Sequence, residues 1–509
     1  MKRKYTTAWK DIEWKEIMRE LFPLQCSISI ASQQNNIKEV HRLQKLLAKS
    51  KAATLWAVHQ VTELNKGKAS AGPDGEANLT DKKKMWMAER LHINHLPSAP
   101  RISLIPKPGR SEKRRISVPN MIDRAHQALI VLALEPQWEH RFPETMFGFR
   151  KGRGTRDAIT YLMNTLRVKD YSRPDLAHRY VLDADIRSMF DNIDQTRLLA
   201  ELDCTGSVRE AIKRILKVGP LIIEGEDAND TSGRRTGTPQ GGPLSPLLAN
   251  IVLARMADQI KEVHKVNFKS NVRPPISVFY ADDMVVHSRH REVIVLCKQT
   301  VETYLHEWGL SLHPKKTSIR HTEQRGDHDT PGFDFLGVHF QHVWKQTPRG
   351  DLEPYLIAIP SKGSVKAFYQ KCVDRINLCK VNKKNRGKRR HLKQTKPGYK
   401  DEIALMIIHL NRAIRGWGNY YSCTNAKRTF NNIDHMLHKK LHRWASKKFK
   451  NKTKAWLKEN MFSGVETDSN GNPLKRLDGK LRQRDWAFKS PFISKTDVTT
   501  LYSECQTSK

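Results

Sequence analysis

Two adjacent carboxylates, Asp282 and Asp283, interrupt an otherwise apolar stretch, FYADDMVVHSR (279–289). Neighbouring negative charges are unusual between apolar runs, and this chain carries a formal net charge of +37. Carboxylate oxygens are the ligands that Mg²⁺ prefers, and two such ions can clamp the attacking and leaving oxygens of an in-line displacement. Asp is also common in turns. Taken alone, the pair could therefore be either a metal site or an acidic β-turn.

A two-ion site needs a further carboxylate from elsewhere in the chain. The stretch VLDADIRSMFD (181–191) offers Asp183, Asp185 and Asp191. Asp183 and Asp185 share one face of an extended strand, because side chains alternate with a period of two. Alternation therefore does not choose between these two residues.

The surrounding sequence predicts the elements that must position these side chains. β-prone runs on both sides of the acidic pair predict a hairpin over 274–288 with the pair at its bend. Strands and helices are mixed without regular alternation, which favours an α+β fold. The other predicted elements are helices within 35–64 and 123–140, a hairpin around a basic loop at 100–120, a strand that runs into a turn or helix at 179–194, a Gly/Pro-rich loop and long apolar helix at 234–260, a helix and strand at 301–319, and a β-prone run at 332–340.

The composition indicates a polyanionic partner. The 509 residues include 90 Lys and Arg against 53 Asp and Glu, an excess typical of proteins that contact phosphates. No apolar run of about 20 residues predicts a membrane span. Seven scattered cysteines without a CxxC pair indicate reduced thiols rather than a zinc site. We therefore expect a reducing, cytoplasm-like compartment, with an organelle left open.

Five motifs in a fixed order resemble the successive motifs of reverse transcriptases. They are DADIRSMFDNID, GTPQGGPLSPLLAN, FYADD, GLSLHPKKT and FDFLGVHF. The long form of the second motif resembles that of group II intron-encoded proteins, and the resemblance covers roughly residues 60–345. It implies a right-hand polymerase of fingers, palm and thumb that copies RNA into DNA. It also implies that Asp185, Asp282 and Asp283 hold two Mg²⁺ ions, with Mn²⁺ as a possible substitute, while Asp183 lies beside the site.

The same resemblance implies roles for residues that would contact the nucleotide. Phe190, five residues after Asp185, would block a 2′-hydroxyl and so select deoxynucleotides. Gln240 would lie near the sugar and base of the incoming nucleotide. Lys316 would act as a general acid towards the leaving pyrophosphate, with Lys315 as the competing candidate.

Basic residues of the 100–120 hairpin would cover the triphosphate. Lys107 follows an Ile-Pro pair as in the family pattern, and Arg114 holds the position of the pattern's arginine. Arg115 is the alternative to Arg114, because RRISVP stands where the family often has RPLGIP. Positive charge there would offset charge on the transferred phosphoryl group.

A second resemblance, over 410–462, is to the maturase segment of group II intron proteins, with IRGWGNYY as its most recognisable part. Within it, apolar residues at helical spacing predict one buried helix face between exposed cations. For Trp417, Tyr420 and Tyr421 we favour core packing over base stacking. We expect intron RNA to be both template and partner, with a DNA target or primer and dNTPs as further ligands, and we expect no membrane contact and no particular protein partner.

Together these patterns predict four regions. An N-terminal extension (1–60) precedes fingers and palm (61–345), a thumb and maturase region (346–462) and a C-terminal segment (463–509) that is a candidate for a reduced DNA-binding region. The zinc endonuclease domain of many relatives has no counterpart here, since Cys505 stands alone after Phe462. Two alternatives stay open: an RNA chaperone that only assists splicing, and a domesticated reverse transcriptase of repair or defence.

Overall fold

The computed structural model describes residues 8–106, 113–167, 177–219, 237–324, 331–346, 350–378 and 402–448, together with residues 348, 450, 451, 453 and 455. The chain forms two compact units. Unit 1 comprises Met1–Leu162 and His178–Ile319, and unit 2 comprises Met163–Ala177 and Arg320–Lys509. Of the described residues, no helix is both long enough and apolar enough to span a membrane. The basic stretch 380–400 and the C-terminal segment 463–509 lie outside the described residues.

The elements are a mixture of helices and strands, so the predicted α+β class is confirmed. The helices are α1 (Trp14–Gln33), α2 (Ile37–Lys49), α3 (Lys51–His59), α4 (Asp81–Arg90), α5 (Met121–Glu139), α6 (Thr155–Leu166), α7 (Met189–Asn192), α8 (Gln195–Glu201), α9 (Gly206–Lys217), α10 (Ser245–Asn267), α11 (Arg291–Glu307), α12 (Lys362–Leu378), α13 (Glu402–Tyr421) and α14 (Lys427–Lys448). The strands are β1 (Arg101–Pro106), β2 (Lys113–Val118), β3 (Tyr180–Asp185), β4 (Ile276–Tyr280), β5 (Asp283–Ser288), β6 (Ser318–His321), β7 (Phe333–Phe335), β8 (Val338–Gln346) and β9 (Leu352–Pro360).

The N-terminal helices of unit 1 pack around α5, which has few exposed positions. Apolar residues of α1 to α5 form one continuous core that includes Ile17, Leu47, Leu55 and Leu129. The start of α2 is capped by Asn36, whose side chain accepts a hydrogen bond of 3.2 Å from Glu39 N, so one of the unpaired amides of the first turn is satisfied. In the chain, the antiparallel β1–β2 hairpin lies between α4 and α5 of this helical layer.

A second core of unit 1 lies under a four-stranded sheet with the strand order β4-β5-β3-β6. Strand β5 pairs antiparallel with both β3 and β4, and its residues Met284 to Ser288 are all buried. The long apolar helix α10 packs into this core through Leu247, Leu248, Ile251 and Leu253, as the sequence predicts. The sheet therefore rests on a rigid apolar base.

Unit 2 combines the sheet β7-β8-β9 with a helical core formed by α12, α13 and α14. The predicted stripe on α14 is confirmed, since Ile433, Leu437, Leu441 and Trp444 are all buried. Lys439, Arg443, Lys447 and Lys448 are exposed on the same helix, whereas Lys440 is half-buried.

The packing interpretation agrees with the burial of Tyr421 and with the packing of Trp417 against the core of unit 2, whereas Tyr420 is half-buried. The Trp417 ring stacks on Phe368 at a centroid distance of 4.6 Å and also contacts Tyr421 and Phe430. Tyr420 and Tyr421 in addition donate hydrogen bonds through their hydroxyls, to Leu336 O (2.9 Å) and Gly337 O (3.2 Å) respectively. These carbonyls belong to the two-residue turn between β7 and β8.

One buried histidine of α5 should make the fold sensitive to acid. His126 lies 2.9 Å through Nε2 from Ile93 O, and its Nδ1 is buried without a hydrogen-bond partner. Burial lowers the pKa of His126 to about 4, although the Ile93 carbonyl and the nearby Asp123 oppose this shift. Because the pKa is lower in the folded state than in the unfolded chain, the stabilisation is present above about pH 6.5 and is lost as the pH falls towards 4.

The free energy of unfolding should fall between pH 7 and pH 5. We predict that this fall is about 2 kcal/mol smaller in His126→Gln than in the wild type. Urea unfolding at the two pH values measures this difference. His435→Gln, at an exposed position on α14, controls for the substitution itself. An unchanged pH dependence in His126→Gln would show that His126 is not the group that makes the fold acid-sensitive.

Candidate active site

The acidic residues singled out by the sequence come together where β3 ends and β5 begins. Asp185 is the last residue of β3 and stands directly opposite Asp283, the first residue of β5. Opposite residues of antiparallel strands have Cβ atoms about 4.5–5.5 Å apart. A hydrogen bond of 3.3 Å from Ile186 N to Asp282 O joins the chain just after β3 to the β4–β5 turn. Three carboxylates from two distant segments therefore lie together at one end of the two central strands of the sheet.

The register also distinguishes the two aspartates that alternation left open. Asp183 stands opposite Val285, two residues further into the sheet, whereas Asp185 stands opposite Asp283. Asp185 is thus the closer of the two to the acidic pair.

A two-residue turn lets adjacent aspartates serve the same site. Strands β4 and β5 are connected by Ala281 and Asp282 alone, and Ala281 has a φ of +55°. Two-residue hairpin loops favour positive φ because this matches the twist of the flanking strands. Asp282 lies in the turn, whereas Asp283 is the first residue of β5. Only one of the two aspartates therefore occupies the bend itself. The alternation that would separate their side chains along a straight strand does not apply across this turn.

Lys316 reaches the site from the segment between α11 and β6. Its Nζ lies 2.6 Å from Asp185 Oδ2, and hydrogen bonds from His313 N to Asp185 O (2.8 Å) and from Arg187 N to Ser311 O (2.9 Å) hold the segment against the end of β3. Lys316 is therefore the lysine of the KK pair that contacts the acidic cluster.

The pKa values of Asp282 and Asp283 are raised at this site. Desolvation by the surrounding protein, followed by the charges of Asp282 and Asp185, raises the pKa of Asp283 to about 6, although the residue as a whole is exposed. Burial also raises the pKa of Asp282, and Asp185 adds to the shift. The charges of Arg114 and Lys316 lower the Asp282 pKa but do not cancel these effects. The site therefore carries more negative charge than its own cations neutralise.

Such a site suits a divalent cation chemically, because oxygen ligands and uncompensated negative charge favour one. Lys316 already neutralises Asp185, which shows that a cation is accommodated beside this carboxylate. Among the described residues, no three His, Cys, Asp or Glu side chains are already arranged around a common point as metal ligands. The residues present thus fit a metal ion by type and charge.

Of the two candidate arginines on the β1–β2 hairpin, Arg114 lies near the acidic cluster. Arg114 lies on β2, is exposed, and is close enough to lower the pKa of Asp282. Arg115 follows it on the strand, so the two side chains point to opposite faces. Lys107 lies outside the described residues.

Gln240 is held next to the same hairpin by its neighbouring glycines. Ser117 N on β2 donates a hydrogen bond of 2.6 Å to Gln240 O. Gly241 has a φ of +124°, and a Cβ atom there would overlap Ser117 O. A Cβ on Gly242 would overlap the Gln127 amide. Gly241 is therefore required for the close approach of this loop to β2, whereas Gly242 allows the loop to approach the Gln127 side chain on α5.

Phe190 lies five residues after the end of β3, and Ser188 between them has a positive φ. Ser188 has a φ of +45° and precedes the short helix α7, in which Phe190 is half-buried. Thr238 N donates a hydrogen bond of 2.6 Å to Phe190 O, so Phe190 also adjoins the loop that carries Gln240. The structure thus joins Asp185, Asp282, Asp283 and Lys316 in one cluster with Arg114 nearby, and it connects Phe190 to the loop that carries Gln240.

Two further residues support the acidic turn, and neither was singled out from the sequence. A Cβ on Gly148 would overlap Ala281 N, so the chain at Gly148 packs directly on the turn. Asn250 on α10 is buried and donates a hydrogen bond of 2.9 Å to Gly148 O. The signals available were the glycines of GFRKGRG (148–154) and a lone amide at the end of the apolar run LLAN.

We predict that Gly148→Ala displaces the acidic turn while unit 1 stays folded. The added methyl group has no space beside the Ala281 backbone. Hydrogen exchange at residues 279–285 should become faster in this variant, whereas the exchange of α5 should not change. Gly154→Ala, for which the nearest atom would be 3.7 Å away, is the matched control. Equal exchange in the two variants would show that the turn does not depend on Gly148.

Three family models match successive parts of the chain. The N-terminal domain of reverse transcriptase matches residues 9–91, reverse transcriptase (RNA-dependent DNA polymerase) matches residues 105–340, and the group II intron maturase-specific domain matches residues 380–462. All residues of the observed site lie within the second match.

Several curated proteins are similar in sequence to this chain. Maturase-like protein 1 of Euglena gracilis is 25% identical over 74% of this chain and 73% of its own length. Protein YkfC of Escherichia coli is 28% identical, and the group II intron-encoded protein LtrA of Lactococcus lactis is 29% identical. Each of these two matches covers 43% of this chain, and the aligned part spans 58% of YkfC and 35% of LtrA.

Solved structures of telomerase show a more distant similarity. The Candida albicans enzyme is 13% identical, with a TM-score of 0.37 over 70% of this chain and 60% of that chain. Telomerase of Candida tropicalis is 14% identical, with a TM-score of 0.36 over 50% of this chain and 55% of that chain.

The order of the three family matches is that of a polymerase followed by a maturase domain, and the relatives include a group II intron-encoded protein and a maturase-like protein. By these matches the chain carries a reverse transcriptase region that follows an N-terminal reverse transcriptase domain and precedes a group II intron maturase-specific domain.

Proposed function

We propose that this protein is an RNA-directed DNA polymerase that copies a group II intron RNA into DNA and assists the splicing of that RNA as a maturase. The observation that carries the proposal is the convergence of Asp185, Asp282 and Asp283 at the ends of β3 and β5, inside the part of the chain that matches reverse transcriptases. A nucleotidyl transfer needs such an acidic cluster next to a phosphate-binding surface.

The three aspartates would hold two Mg²⁺ ions, with Mn²⁺ as a substitute. When bound, these ions supply the charge that activates a primer 3′-hydroxyl and stabilises the leaving pyrophosphate. The ammonium of Lys316 then releases Asp185 and donates a proton to the pyrophosphate. The distance of 2.6 Å between Lys316 Nζ and Asp185 Oδ2 supports a position from which Lys316 reaches the reacting phosphates.

The remaining site residues bind and select the nucleotide. Arg114 and Lys107 contact the triphosphate and offset its charge. Gln240 contacts the sugar and base, and Phe190 excludes a 2′-hydroxyl. The contact of the Gln240 loop with β2 through Ser117 supports this assignment, because it joins the segment that we assign to the sugar to the strand that we assign to the phosphates.

We assign the remaining work to the predicted regions. The extension 1–60 enlarges the fingers around the template, 61–345 carries out polymerisation, 346–462 forms the thumb and binds intron RNA, and 463–509 contacts DNA. The exposed cations of α14 support the RNA-binding role. The protein would act in the bacterial cytoplasm, at the nucleoid, with intron RNA, a DNA primer and dNTPs as ligands.

We predict that Asp282→Asn combined with Asp283→Asn lowers primer extension on an RNA template by more than about 100-fold, because the site loses charge that it needs in the transition state. Asp258→Asn, at an exposed position on α10, is the matched control and should retain activity. Splicing assistance should survive in the double variant, because unit 2 is unaltered. If the wild-type protein makes no DNA with Mg²⁺ but still promotes splicing, the splicing-only alternative replaces this proposal.

A second prediction concerns the basic face of α14. Lys439→Ala with Arg443→Ala should weaken the binding of intron RNA and reduce the slope of log K against log salt by about 1 to 2, because each cation that contacts a phosphate releases counterions. Lys261→Ala with Lys298→Ala removes the same charge from α10 and α11 of unit 1 and should change binding less. Filter binding at several salt concentrations measures both pairs, and equal losses would show that only net charge matters.

A further inference from the structure

Phe149 combines two unfavourable features at one position. Its side chain is 52% exposed, and its φ is +59°. Positive φ is a true outlier for a bulky residue, because its Cβ is crowded by the backbone. Such strain persists only where the surroundings impose it, and it is concentrated at functional sites.

The residues on both sides of Phe149 are fixed by separate contacts. Gly148 packs on Ala281 and accepts a hydrogen bond from Asn250. Arg150 is 8% exposed and donates hydrogen bonds to the Glu139 carboxylate (2.7 Å) and to Met146 O (2.9 Å). With both neighbours fixed, the chain has little freedom at Phe149, so the strained conformation is imposed and the ring is directed outward.

The exposed ring lies against Phe190. The two ring centroids are 6.3 Å apart with an interplanar angle of 74°, an edge-to-face arrangement that is favourable for aromatic pairs. Phe190 also packs against the core of the sheet. The core and Phe149 therefore both contact the Phe190 ring. Phe149 directly follows Gly148, which packs on the turn that carries Asp282.

We propose that Phe149 is a specificity-determining positioning residue, which fixes the orientation of the Phe190 ring and thereby controls how strictly the polymerase excludes ribonucleotides. This inference rests on the proposed function, in which Phe190 selects the sugar. It explains why an exposed aromatic ring is kept on a strained backbone beside the acidic turn: the same segment sets the position of the carboxylates and of the ring that examines the sugar.

The test is single-nucleotide incorporation by the full-length protein, with kcat and KM measured for a dNTP and the matching rNTP. Phe149→Gly removes the ring and relieves the positive φ, so it should melt no lower than the wild type. We expect its preference for the dNTP over the rNTP to fall by about threefold to tenfold, because one aromatic pair contributes a free energy of that size. The fall should come mainly from a lower KM for the rNTP. Phe149→Tyr should keep the preference. Phe149→Asn, which also tolerates positive φ, provides a second variant without the ring.

A double-mutant cycle with Phe190→Ala separates positioning from a general structural role. If Phe149 acts through Phe190, then Phe149→Gly should add no further loss of preference to Phe190→Ala. Phe22→Ala, which removes another exposed phenylalanine (62% exposed, on α1), should leave the preference unchanged.

Each contrary result has a distinct meaning. Unchanged selectivity in Phe149→Gly and Phe149→Asn, with relaxed selectivity in Phe190→Ala, overturns the inference while the proposed function stands. Unchanged selectivity in Phe190→Ala overturns both the inference and the sugar-selecting role of Phe190. A wild-type protein that incorporates no nucleotide overturns the proposed function itself.

Discussion

The site depends on one constraint, the antiparallel register of β3 and β5. This register sets Asp185 opposite Asp283, and a slip of one residue would turn every side chain of the strand to the other face. The core packs against both faces of these strands, because Val181, Leu182, Val285 and Val286 are completely buried. The core of unit 1 therefore helps to maintain the position of the carboxylates against their mutual repulsion.

Charge is distributed unevenly in a way that suits a nucleic-acid enzyme. The chain as a whole is strongly cationic, so it attracts polyanions over distances comparable to the Debye length. At the end of β3 the sign is reversed, and burial together with mutual repulsion raises the pKa of Asp282 and Asp283. An acidic cluster repels phosphates unless cations lie between them. The contact of Lys316 with Asp185 and the charge of Arg114 near Asp282 provide part of this compensation.

Much of the fold follows from local patterns that the sequence displays. Alternating and helical spacings predict the β4–β5 hairpin and the buried face of α14, and the order of five motifs predicts the polymerase family. Positions that depend on contacts between distant segments could not be predicted in this way. Gly148 packs on Ala281 across more than a hundred residues, and Lys316 reaches Asp185 across 131. The division of Asp282 and Asp283 between turn and strand depends on the backbone of Ala281, an alanine that carries no signal of positive φ.

The hydroxyl groups of Tyr420 and Tyr421 bind the carbonyls of the Leu336–Gly337 turn, and Leu336 is itself held at a φ of +49°. The turn belongs to the part that matches reverse transcriptases, whereas the tyrosines belong to the part that matches maturases. The boundary between the two family matches therefore does not separate independently folding pieces. A fragment cut between residues 340 and 380 would lose the partners of two turn carbonyls, so gene fusions and truncations should keep the two stretches in one polypeptide.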